Sequence, residues 1–146
     1  MDIQQVLPHR FPFLFIDRVL EIEEGKRVVA IKNVSYDEPV FQGHFPGLPL
    51  FPGVLQLECM AQASGLCVGA GIADEGRIGV LAGIEGARFY RPVRPGDQLR
   101  IEAEIVGLRR GFGKAQAKIL CEGENVAQAT ITFALRSREE FQQAPR

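Results

Sequence analysis

Much of the chain alternates apolar and polar residues with a period of two. From Phe13 to Glu23, Leu14, Ile16, Leu20 and Ile22 fall on one face and Asp17, Glu21 and Glu23 on the other. That alternation predicts a half-buried strand. Glu24-Gly25-Lys26 turns the chain, and the β-branched run from Arg27 to Val34 predicts the returning strand. Ile78 to Phe89 reads as another apolar strand, bent at Gly83 and Gly86, and Pro95-Gly96 suits a type II turn. Three alternating runs follow, with Leu99, Ile101, Ala103 and Ile105 in the first, Ala115, Ala117 and Ile119 in the second, and Ala127, Ala129, Ile131, Phe133 and Leu135 in the third. Joined by short turns, they predict an antiparallel meander with one face in water.

Pro52 to Ile72 breaks the pattern: it is apolar almost all round, which predicts a helix buried on most sides. Pro52 is placed for a first helical turn, and a glycine-rich run to Gly71 for the C-terminal cap. The segment is long enough to span a bilayer, but it carries Gln56, Glu58, Gln62, Ser64 and the glycines 53, 65, 69 and 71. A carboxyl near mid-span is costly in lipid, so a buried helix of a soluble protein is the better reading. Ile3 to Leu7 gives a helical turn before Pro8. Residues 35 to 51, with Pro39, Pro46, Pro49, Gly43 and Gly47, form a loop shaped by its prolines and glycines. Arg136 to Arg146 reads as a polar, frayed tail. One sheet curled about one helix makes an α+β domain that fills residues 1–146 as a single unit.

Composition narrows the function. The 146 residues fit one compact domain, and 46% apolar with 24% charged residues excludes disorder. Seventeen basic and eighteen acidic side chains leave a net charge of −1, against a dedicated nucleic-acid binder. Cys59, Cys67 and Cys121 are odd in number and form no CxxC pair, which suits a reducing cytosol. With two histidines beside them, they do not make a structural zinc site. Asp2 directly follows Met1 without a basic-then-apolar leader, so a cytoplasmic, membrane-free setting is expected.

Three features could carry chemistry. Glu58 lies two turns into the apolar helix, with Val54 and Gln62 one turn either side on its face. Such a carboxyl is either paired, as a structural acid bonded to a backbone group or an arginine, or held protonated. His44 sits in the stiffened loop before the helix, an address typical of positioned catalytic side chains, although a loop histidine also serves simply to cap or pack. His9 has the same chemistry in a weaker context and reads as structural. The amides of Gly53 and Val54 are free at the helix start, and Gly53 has no side chain to keep an oxygen away. A base, an acid and amide donors together suit proton abstraction beside a carbonyl. Gly69-Ala70-Gly71 follows a helix and is no dinucleotide site. Arg109 to Lys114 is a solvated hairpin loop. Arg88, Arg91 and Arg94 could meet an acidic partner or simply aid solubility.

At this point the chain resembles the 3-hydroxyacyl-[acyl-carrier-protein] dehydratases of type II fatty acid synthesis. The resemblance runs in order through Leu7-Pro8-His9-Arg10, Pro12-Phe13-Leu14, Asp17-Arg18-Val19, Lys32-Asn33-Val34 and Gly43-His44-Phe45-Pro46-Gly47. It continues through Pro52-Gly53-Val54-Leu55, Glu58, Ala61-Gln62, Ala87-Arg88-Phe89, Arg91-Pro92-Val93 and Pro95-Gly96-Asp97-Gln98-Leu99. The resemblance implies the hotdog fold and dehydration of (3R)-hydroxyacyl thioesters to trans-2-enoyl thioesters, without metal or organic cofactor. It implies His44 as base, Glu58 as acid and the Gly53 amide, with Val54 beside it, as the holder of the thioester carbonyl. It implies an acyl carrier protein bearing acyl-phosphopantetheine as partner, docked on surface arginines, and a homodimer with shared sites, three dimers forming a hexamer.

A related branch that also isomerises the double bond has aspartate at the helix position, so Glu58 favours dehydration alone. Two departures stand out. Cys59 occupies a position usually Ala or Gly, and Val80-Leu81 replaces a more aromatic pair that would line the acyl tunnel and bear on chain length. A hotdog thioesterase and a non-catalytic acyl-binding module are the rival readings.

Overall fold

The computed structural model describes residues 1–69 and 76–145. A short helix, α1 (Ile3–Val6), precedes strands β1 (Arg18–Glu23) and β2 (Arg27–Asn33). A 3₁₀ turn at Pro39–Gln42 interrupts the following loop, and the central helix α2 spans Gly53–Val68. Strands β3 (Arg77–Phe89), β4 (Gln98–Arg109), β5 (Phe112–Cys121) and β6 (Glu124–Ser137) come next, then a terminal helix α3 (Arg138–Gln143). The strands form one sheet in the order β1-β2-β4-β5-β6-β3, every neighbouring pair antiparallel.

The meander forms as its alternation requires. Leu99, Ile101 and Ala103 on β4, Ala115, Ala117 and Ile119 on β5, and Ala127, Ala129 and Ile131 on β6 are buried, while the residues between them are mostly open to solvent. The sheet folds this face around α2, which packs against β2, β4, β5, β6 and β3 and buries Cys59, Met60, Ala63, Leu66 and Cys67. The bends expected at Gly83 and Gly86 coincide with register shifts of β3 on β6, between Leu81 and Gly83 and between Glu85 and Arg88. Gly96 has φ 98°, the left-handed value a type II turn demands at that place. α2 closes at Val68 with Gly69 as its cap; Ala70 and Gly71, the rest of the expected cap, lie outside the described residues.

Two expectations need correction. The first strand begins at Arg18 rather than Phe13, because the Phe15 N–H and the Phe13 carbonyl bond to the side chain of Gln62 on α2 instead of to a neighbouring strand. A register shift between Val19 and Glu21 then leaves Leu20 and Ile22 exposed on an edge strand. The tail is also not frayed throughout. β6 runs to Ser137, whose hydroxyl accepts from the Glu140 N–H at 3.2 Å while Glu140 reaches back to the Ser137 N–H, a capping box that starts α3.

Gly113 on β5 faces Phe133 on β6 in register, and the phenyl ring fills the space a β-carbon would need. Gly113→Ala should therefore overpack a buried site and lower stability by about 1–3 kcal/mol in a denaturant titration. Gly107→Ala, whose β-carbon would meet Lys114 at an ordinary 3.8 Å, should change little. Equal stability of the two variants would contradict the packing described.

Candidate active site

Glu58 follows the first turns of α2, and helical spacing sets Gln62 one turn ahead on the same face. Gln62 is 1% exposed and uses its whole amide. Its Oε1 accepts from Phe15 N–H at 3.0 Å, and its Nε2 donates to the Phe13 carbonyl at 2.8 Å and to Glu58 Oε1 at 2.9 Å. An amide with both donors and its oxygen committed is locked, so the carboxylate it holds is locked too. The second partner of Glu58 is His9, whose Nε2 lies 3.4 Å from Oε1. His9 Nδ1 is buried without a partner, which fits the tautomer that donates from Nε2. Glu58 is thus paired, but with an amide and an imidazole rather than an arginine or a backbone group.

His9, read from the sequence as structural, lies beside Glu58. Arg10 donates to the carbonyls of Leu7, His9 and Gln4 and so pins the turn that carries the ring.

His44 is fixed by its loop. Its N–H donates to Val40 O at the end of the 3₁₀ turn, its carbonyl accepts from Leu50 N–H at 3.0 Å, and Phe45 and Leu48 exchange two backbone bonds of 2.8 Å across the loop tip. The ring stacks on Phe45 with centroids 4.0 Å apart. His44 Nδ1 lies 2.8 Å from Leu50 O. A carbonyl only accepts, so Nδ1 carries a proton, and in the neutral ring Nε2 is left as the acceptor.

Gly53 and Val54 open α2. Pro52 offers no side-chain cap, and its carbonyl accepts from Leu55 and Gln56, which leaves the two preceding amides at the positive end of the helix. Gly53 has a reason beyond ligand access: a β-carbon there would meet the Phe89 ring at 3.0 Å. Val54 is 72% exposed.

Within one chain these groups fall into two sets. Glu58 lines a narrow cleft with His9, Gln62, Ile78, Val80 and Leu81. His44, Gly53 and Val54 do not line it. Gly53 and Glu58 are five residues apart, about 140° around a helix, so they look to different sides. A wider groove crosses the outer polar face of the sheet between Arg27, Glu85, Glu102 and Lys118, and holds none of these residues.

A family model described as a FabA-like domain matches residues 7–130. The chain is 56% identical over 131 residues to a 3-hydroxyacyl-[acyl-carrier-protein] dehydratase FabZ of Symbiobacterium thermophilum, covering 90% of this chain and 92% of that protein. It is 55% identical over 139 residues to the FabZ of Thermus thermophilus, covering 92% and 95%. Among solved structures, the dehydratase heterocomplex ApeI:P from Xenorhabdus doucetiae matches with TM-score 0.83 and 22% identity, over 98% of this chain and 96% of that one. A hypothetical thioesterase with coenzyme A from Streptococcus pneumoniae matches with TM-score 0.61 and 21% identity, over 82% and 85%. At such identities these two speak for the fold alone, which is the expected α+β hotdog.

Cys59, next to Glu58, is fully buried, and burial pushes its thiol well above the ordinary range, against the opposing pull of the Lys32 charge. It stays protonated and shielded at neutral pH. Native protein at pH 7.5 should therefore leave Cys59 unlabelled by iodoacetamide, and unfolded protein should label it, as read by peptide mass. Rapid native labelling at that peptide would contradict the burial.

Proposed function

The chain belongs to the FabA-like family, among the 3-hydroxyacyl-[acyl-carrier-protein] dehydratases, and from that membership we propose that it converts (3R)-hydroxyacyl to trans-2-enoyl thioesters on acyl carrier protein in fatty acid biosynthesis. His44 Nε2 takes the α-proton, and the electrons of that C–H bond become the new double bond. The thioester oxygen, bearing enolate-like charge as the bond forms, is held by the Gly53 amide with Val54 beside it. The C–O bond at the β-carbon breaks, and Glu58 in its acid form protonates the leaving hydroxyl, which departs as water. The bond from His44 Nδ1 to Leu50 O carries the assignment of roles, because it bares the one ring nitrogen that can act as base. Gln62 and His9 aim the acid. Glu58, longer than aspartate by one methylene, supports dehydration without isomerisation.

The division of the site within one chain favours a homodimer. β3 is a thirteen-residue edge strand that, among the described residues, pairs only with β6, and it exposes Val80, Leu81, Ile84 and Phe89. A long, apolar, unpaired edge seeks another strand. The Phe89 end of β3 lies against Gly53, and the Val80–Leu81 end lines the Glu58 cleft. Antiparallel pairing of β3 with its copy about a two-fold axis brings the first end of one chain to the second end of the other. His44 and Gly53 of one protomer then complete the cleft of Glu58 in its partner, and three such dimers make the hexamer.

Arg91 is already paired with Glu124 at 2.7 Å, which leaves Arg88 and Arg94 to meet the carrier protein and its phosphopantetheine phosphate. We treat residues 1–146 as one dehydratase unit. Among the described residues no helix is long and apolar enough to cross a membrane, and three buried free cysteines suit a cytosolic setting.

Hydration of crotonyl thioester, followed by loss of the enoyl absorbance, tests the reaction. Release of free thiol from saturated acyl thioesters would instead indicate a thioesterase, and binding without hydration an acyl-binding module. His44→Ala should lower turnover at least about a hundredfold with the melting temperature nearly unchanged, and Glu58→Gln should abolish dehydration while thioester still binds. A well-folded, active variant at either position removes that residue from its role.

The shared site has its own test. Refolding His44→Ala together with Glu58→Ala makes about half of the dimers mixed, each with one intact site, so roughly a quarter of wild-type activity should return. Mixed dimers proven by mass but no more active than the separate variants would place each site within one chain.

A further inference from the structure

Lys32 is a charged residue on the wrong face of its strand. On β2 it shares a side with Val28 and Ala30, which are 1% and 0% exposed, and it is itself only 6% exposed. A lysine is seldom buried this deeply unless its ammonium is paired. Its Nζ lies 2.8 Å from Glu38 Oε1, and 5.6 Å from the ring centroids of both Phe15 and Phe51. The ammonium thus meets one carboxylate and two aromatic faces.

Each of those three contacts leads to a different part of the site. Glu38 caps the backbone of Ser35 through its second oxygen at 2.7 Å and precedes the 3₁₀ turn whose Val40 carbonyl receives the His44 N–H. Phe51 stands between Leu50, the carbonyl partner of His44 Nδ1, and Pro52, after which α2 begins at Gly53. Its own amide donates to Val93 O at 2.7 Å, and its carbonyl accepts from Gln56. Phe15 donates its N–H to Gln62, which holds Glu58. The Phe15 and Phe51 rings meet edge-on at 6.3 Å, and Phe41 of the 3₁₀ turn packs 6.4 Å from Phe51. The Lys32 charge is also felt at the Cys59 thiol, beside Glu58 on the helix.

We propose that Lys32, through its ion pair with Glu38 and its contacts with Phe15 and Phe51, is a positioning residue that sets the placement of the His44 loop and the Gly53 helix start relative to the segment that holds Gln62. It touches no substrate. It acts by fixing, within each protomer, where His44, Gly53 and the Gln62-held Glu58 stand. The two-fold dimer proposed above carries those placements into each shared site, where misplacement by an ångström is enough to slow a reaction without unfolding the protein. The inference rests on the roles given above to His44, Gly53 and Glu58.

A buried ion pair offers a way to separate positioning from stability, since replacing both partners with neutral groups is often harmless to the fold, whereas removing one strands a charge. Lys32→Met should lower kcat for crotonyl thioester hydration about tenfold to a hundredfold while KM stays within about twofold, as expected when bound substrate meets misaligned groups. It should also lower the melting temperature, because Glu38 loses its partner. Lys32→Met with Glu38→Gln should restore the melting temperature and leave kcat low. Three outcomes would overturn the proposal: kcat near wild type in Lys32→Met, kcat recovering together with the melting temperature in the double variant, or failure of both variants to fold. Wild type and His44→Ala are assayed alongside. An active His44→Ala protein would refute the catalytic assignment itself, whereas an inactive one beside a fully active Lys32→Met refutes only the role of Lys32.

Discussion

Gln62 is an amide in the middle of a buried helix, and it cannot be left unpaired. A buried amide without partners costs about 1–3 kcal/mol, enough to matter against the small net stability of a domain. The chain meets that demand by bringing Phe13 and Phe15 to the helix, where their backbone groups bond to the amide. Much of the remaining architecture follows. The segment before Asp17 is withdrawn from the sheet, so β1 is short and begins only at Arg18. The ring of Phe15 is delivered to Phe51 and to the Lys32 ammonium. The remaining Gln62 donor is left for Glu58, which receives a fixed hydrogen bond on a helix that is otherwise packed with apolar side chains.

A second constraint is the open edge of the sheet. The sheet curls around α2 without closing, and β1 and β3 are its two free borders. β1 is six residues long and carries Glu21 and Glu23, charges that discourage pairing with another strand. β3 is about twice that length and largely apolar, with Phe89 at one end against Gly53 and Val80 and Leu81 at the other lining the Glu58 cleft. In the dimer proposed above, pairing along this strand would cover the edge and join the two halves of the proposed site in one step.

The period-two pattern revealed the meander, and the unbroken apolar run revealed the helix, because both report directly which face meets solvent. The apolar run also singled out Glu58 as at odds with its surroundings, and the proline-stiffened loop before it pointed to His44. What the pattern could not show is which partner satisfies a given backbone group. Phe13 to Asp17 alternates as a strand does, yet the Phe15 N–H and the Phe13 carbonyl bond to the side chain of Gln62, more than forty residues on. His9 looked ordinary because its contact with Glu58 depends on the same folding-back of the N-terminal segment. The capping box of Ser137 and Glu140 was legible as Ser-x-x-Glu, but was hidden by the polarity of the tail. Lys32 was legible too. In the run from Arg27 to Val34 it stands at a position where alternation places the core, as unusual for a strand as Glu58 is for a helix.

Polar groups buried around this site serve geometry more than stability. Met60, Leu66, Leu99, Ile101 and Ile119 are fully buried and supply apolar contact between the helix and its sheet. Apolar contacts are non-directional, however, and tolerate small slides that leave buried area unchanged. Hydrogen bonds and ion pairs fall off steeply with angle or distance, so a slide of that size breaks them. Gln62 registers the N-terminal segment against the helix, and Lys32 with Glu38 registers the His44 loop against both. The general acid–base chemistry proposed above asks for this kind of registration, since His44 and Glu58 reside on elements with no direct bond between them. The apolar core supplies the cohesion, and these few directional contacts fix where within it the proposed acid and base stand in each protomer.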